Sequence, residues 1–108
     1  MRILVVGAGA VGGLFGGLMA EHGRDVTFLV RAPRAAALAA DGLQLVGISG
    51  GPQDQVRAVP VAVVTADQLS EAGPFDIVLL AVKAYDLESA IEAIAPAVDA
   101  GAAVLPLL

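Results

Sequence analysis

An α/β fold on a mostly parallel sheet is the architecture this 108-residue sequence predicts, and three observations predict it. Six of its thirteen glycines crowd between Gly7 and Gly17, directly after the apolar run Ile3-Leu4-Val5-Val6. Strand-like and helix-like stretches then alternate, the pattern of right-handed βαβ crossovers. The run Ile77-Val78-Leu79-Leu80-Ala81-Val82 is apolar on both faces, as a strand covered by helices on both sides must be. Together they predict a doubly wound, Rossmann-type sheet.

The first strand, Arg2–Val6, leads into Gly7-Ala8-Gly9-Ala10-Val11-Gly12, and each glycine has a physical task. Gly7 permits the tight turn, Gly9 leaves room for a pyrophosphate against bare backbone, and Gly12 lets the next helix pack closely on the strand. The helix Ala10–His22 then points its N-terminus at the phosphates. A signal peptide or a membrane span would share the uncharged stretch 3–20 and the Gly9, Gly13, Gly17 spacing. Each glycine in a helix interior costs roughly 1 kcal/mol, which argues against both. Gly23 is a C-terminal cap for this helix.

The second strand, Asp25–Val30, ends without the acidic residue that holds a ribose hydroxyl in NAD-binding folds. Arg31 follows, with Arg34 a short turn later. A guanidinium fork pairs with a ribose 2′-phosphate that a carboxylate would repel, so NADP is favoured over NAD. An FAD site would share the glycines but also want the missing acid. A solvated arginine at a strand end is the plainer alternative.

A helix over Pro33–Ala40, capped by Gly42, leads to strands at Leu43–Val46 and Val56–Val64. The turn-forming residues Gly47–Asp54 between them predict a hairpin-like excursion. A short helix around Asp67–Glu71 precedes the central strand Phe75–Val82. Lys83, the only lysine, leaves that strand's C-terminal end, where open α/β sheets bind ligands, and can reach a cofactor or a substrate carboxylate. A surface lysine before a helix is the alternative. Tyr85 could pack over the glycine loop. Asp86 is an N-cap for a helix Leu87–Ala95 that decays at Pro96, and a last strand covers Ala102–Leu108.

Composition bounds the function. A net charge of −5, with six basic residues scattered among eleven acidic ones, supplies no basic patch for nucleic acid. There is no cysteine for a disulfide or thiolate metal site, and the lone His22, at the exposed end of the first helix, has no partners for a metal cluster. The 57% hydrophobic share fits a sheet covered on both faces, or a piece of a larger protein. The expected setting is cytoplasmic, with no membrane partner.

Met1-Arg2-Ile3 with the glycine loop, Phe28-Leu29-Val30-Arg31, Asp41-Gly42-Leu43 and Ala81-Val82-Lys83-Ala84-Tyr85-Asp86 resemble the ketopantoate reductase (2-dehydropantoate 2-reductase) family. The resemblance implies an NADPH-dependent reduction of a 2-keto acid to a 2-hydroxy acid in pantothenate biosynthesis, by a homo-oligomer when full length. It implies Gly7 to Gly12 as the phosphate loop, Arg31 as the 2′-phosphate ligand and Lys83 as a cofactor contact. In the family the strand matching Val104–Leu108 runs into an Asn-Gly pair of the active site, and the catalytic lysine and a substrate-binding carboxylate lie in a helical second domain. Residues 1–108 are therefore expected to be an N-terminal NADP-binding domain, incomplete at its C-terminal end, with no catalytic residue assigned and no activity alone. A non-catalytic NADP-sensing module and a reductase of another small keto substrate are the alternatives.

Overall fold

Runs of branched aliphatic residues in this chain form strands whose alternate side chains point to opposite faces, so a stable sheet must be covered twice. The computed structural model, which describes residues 1–7, 9–46 and 56–107, does this. The elements in chain order are β1 (Arg2–Val6), α1 (Ala10–Glu21), β2 (Asp25–Leu29), α2 (Ala32–Asp41), β3 (Leu43–Val46), β4 (Val56–Val59), β5 (Ala62–Val64), β6 (Ile77–Leu80), α3 (Leu87–Asp99) and β7 (Ala103–Pro106). Short 3₁₀ turns cover Ala66–Glu71 and Ala84–Asp86.

Five parallel strands lie in the order β5-β2-β1-β6-β7, with β1 at the centre, and β3 and β4 form a separate antiparallel pair. The sheet is the predicted Rossmann-like one. β1 divides its side chains between two cores. Leu4 and Val6 join Leu29, Val78 and Leu80 beneath Ala90, Ile94 and Ala97 of α3. Ile3 and Val5 join Val26 and Phe28 on the other face, against α1, Leu38 of α2, and Leu43 and Leu45 of β3. Phe28, Leu4, Val5 and Val78 are completely buried, and burying such a side chain contributes about 1.5–3 kcal/mol.

Three sequence expectations need correction. The single strand over 56–64 is two strands in different sheets, because Pro60 has no amide hydrogen to continue a ladder. β4 closes the hairpin on β3, and β5 turns away to pair with β2. The third helix does not decay at Pro96; it runs on to Asp99, with the Pro96 carbonyl accepting from Ala100 N–H at 3.2 Å. Asp86 stands at the start of α3 but its side chain makes no capping hydrogen bond, because the 3₁₀ turn from Ala84 runs directly into the helix. The hairpin expectation is met by the β3–β4 pairing, while Gly47–Asp54 itself lies outside the described residues, as do Ala8 and Leu108. Gly23 and Gly42 follow α1 and α2 with φ of +80° and +75°, the left-handed region in which glycine ends a helix. Among the described residues no helix is long and apolar enough to cross a membrane.

Candidate functional site

Because the five strands are parallel, their C-terminal ends meet at one edge, and the chain changes direction across that edge between β1 and β6. Ligands of open α/β sheets bind outside such a switch point. Here the turns after β1, β2, β5 and β6 and the first turns of α3 enclose an open crevice of ≈ 820 Å³.

The glycine turn forms one side. Gly7 has φ +94°, its N–H donates to the Leu29 carbonyl at 3.2 Å, and a Cβ there would meet the Ala81 carbonyl at 2.9 Å. A Cβ on Gly12 would run into the Gly7 carbonyl. These two glycines are required by the close approach of turn, helix and β6. Gly9 is different. It is the N-cap of α1 with φ −80° and ψ −158°, an extended backbone open to any residue, and a Cβ there would touch nothing within 4 Å. Packing does not demand this glycine, but a ligand approaching the bare backbone would. The N-cap of α1, being glycine, supplies no side chain to the first amides of the helix, the end at which an anion is favoured.

Arg31 is the N-cap of α2, its carbonyl accepting from Ala35 N–H at 2.9 Å. Its side chain is 81% exposed on the crevice wall, and Nη2 lies 3.4 Å from Oδ1 of Asp86. Arg34 lines the same wall. Of the predicted residues, the structure brings Gly7 and Arg31 into one crevice wall, and Gly9 stands at the helix terminus beside it. Lys83 is exposed on the same edge, one position past the crevice-lining Val82, and is not part of the wall. Ala8 lies outside the described residues, and Ala10 and Val11 contribute backbone at the start of α1. Tyr85 does not pack over the loop; it is 81% exposed. His22 ends α1 with Nδ1 2.8 Å from the Leu18 carbonyl. Among the described residues no group of three or more His, Asp or Glu could hold a metal ion.

Sequence reasoning missed the part of the crevice lining that follows β5. Thr65, Asp67 and Gln68 lie there, with Gln68 Oε1 accepting from Thr65 N–H at 3.1 Å and the Thr65 hydroxyl donating to Asp67. The Thr-x-x-Gln spacing after a strand was a legible capping signal. Asp86, 55 positions from Arg31, carried no such signal of their pairing.

YkpB of Bacillus subtilis (strain 168), an uncharacterized oxidoreductase, is 40% identical over 108 residues, which are 100% of this chain and 33% of that protein. The 2-dehydropantoate 2-reductase of Pyrococcus abyssi is 39% identical over 94 residues, 87% of this chain and 27% of that enzyme. The ternary structure of D-mandelate dehydrogenase with NADH and anilino(oxo)acetate superposes with a TM-score of 0.82 at 26% identity, covering 100% of this chain and 33% of that one. The chain thus spans about a third of the length of the relatives it matches. A family model described as ketopantoate reductase PanE/ApbA matches residues 3–108, and the chain belongs to that family of oxidoreductases.

Proposed function

We propose that this chain is the NADP-binding part of an NADPH-dependent reductase that converts 2-dehydropantoate, a 2-keto acid, to pantoate. The observation that carries the reading is the pairing of an unneeded glycine, Gly9, before an uncapped helix with an arginine at the end of β2. The residues fit a dinucleotide. The backbone of Gly7, Ala8, Gly9, Ala10, Val11 and Gly12 would hold the pyrophosphate at the N-terminus of α1. Arg31 would take the 2′-phosphate, and Lys83 would contact the cofactor from the β6 turn. A bound nicotinamide dinucleotide supplies hydride chemistry, whereas these residues bind and orient. No proton donor is assigned among residues 1–108, so binding is the direct test.

Fluorescence titration with NADPH and NADH is that test. A charge-assisted contact to the 2′-phosphate, worth about 1.5–3 kcal/mol, gives NADPH about ten- to a hundredfold tighter binding. Equal affinities, or tighter NADH, would reject the NADP assignment. Arg31→Ala is expected to narrow the gap by weakening NADPH.

A second reading, reduction of a different 2-keto acid, is favoured by the likeness to D-mandelate dehydrogenase, which was solved with NADH and anilino(oxo)acetate. Comparing 2-dehydropantoate with aryl-substituted 2-keto acids, in a protein that contains this chain and turns over, separates the two.

A further inference from the structure

Asp86 occupies a position where an aspartate ordinarily spends its carboxylate on the amides of the helix it begins. Here it does not. Its backbone is held from both sides, with Asp86 N–H donating to the Lys83 carbonyl at 2.9 Å and its own carbonyl accepting from Ser89 Oγ at 3.1 Å. The carboxylate, 36% exposed, is thereby set on the crevice wall, and Oδ1 meets Nη2 of Arg31 at 3.4 Å. The contact is single and long for an arginine–carboxylate pair, which is strongest as a short two-point fork. It leaves most of the five guanidinium N–H donors available.

We propose that Asp86 is an internal competitor for Arg31 that limits how strongly the crevice prefers a 2′-phosphorylated dinucleotide over its unphosphorylated counterpart. This rests on the reading of Arg31 as the 2′-phosphate ligand. A phosphate reaching Arg31 must either share the guanidinium with Asp86 or displace it. A dinucleotide with a free 2′-hydroxyl meets no such obstacle. Asp86 is therefore a positioning residue, acting through Arg31 on selectivity and not on the fold.

The test is titration of NADPH and NADH against the wild type, Asp86→Asn, Arg31→Ala and the double variant, with thermal stability measured beside them. Exposed ion pairs are weak, so Asp86→Asn is expected to tighten NADPH about two- to fivefold and leave NADH unchanged. In the Arg31→Ala background the same change should give no gain, and Asp86→Glu should keep the wild-type ratio of affinities. An unchanged ratio in Asp86→Asn, an equal shift for both cofactors, or a gain that survives in the double variant would overturn the competitor role. If Arg31→Ala alone leaves the preference for NADPH intact, the reading of Arg31 fails, an outcome distinct from failure of the Asp86 proposal.

Discussion

At the scale of single residues, glycines that look alike in the sequence have different tasks. Gly12 is held by the Gly7 carbonyl, whereas Gly9 faces open space. Gly9→Val is therefore expected to abolish NADPH binding while costing only about 1 kcal/mol for a poorer N-cap. Gly12→Val is expected to lose at least about 2 kcal/mol through overpacking against backbone that cannot yield. Cofactor titration beside thermal melting separates the two, and retained affinity in a folded Gly9→Val protein would reduce the loop to a structural turn. The spacing of Gly7, Gly9 and Gly12 and the placement of Arg31 after a strand were legible because both are local patterns. The partner of Arg31 was not, because Asp86 reaches it only once α3 has packed on β6 and on the 3₁₀ turn Ala66–Glu71.

Among the elements, proline marks where local reading failed in opposite ways. Pro60 separates two strands that the apolar run Val56–Val64 joined, since β propensity cannot reveal that the chain changes sheets. Pro96 was expected to end α3, yet the helix continues for three residues because Ala97 is buried in the core beside Ile94. Packing of that face outweighs the lost hydrogen bond, as Pro96 has no N–H to offer the Glu92 carbonyl. Pro96 is exposed, so Pro96→Ala removes little packing and restores the bond. A gain of about 1–3 kcal/mol in stability is expected by thermal or denaturant unfolding. A loss would show that the proline fixes a bend the core needs.

Across the whole molecule, the two ends of the sheet divide the work. The crevice is at the C-terminal edge, and a clamp built on Arg2 is at the other. The Arg2 guanidinium donates from Nη1 to the Ala72 and Pro74 carbonyls, both at 2.9 Å. It also lies 4.4 Å from the centre of the Phe75 ring, and its Nε is 3.6 Å from Asp25. This ties the entries of β1, β2 and β6 together. Arg2→Ala should cost about 2 kcal/mol, or about 8–15 °C in Tm, without changing cofactor affinity. Weakened NADPH binding in a variant still fully folded would show that the two edges are coupled. The position of β1 between β2 and β6 has a consequence in time. Ile3 pairs with Val26 on one side, but its partner on the other is Ile77, 74 positions later. At roughly 5–20 residues per second of synthesis, that side of β1 waits about 4–15 s for its neighbour. Throughout that interval the central strand of the sheet has an open apolar flank, so yield during expression should depend on translation speed and chaperone supply more than the stability of the finished fold suggests.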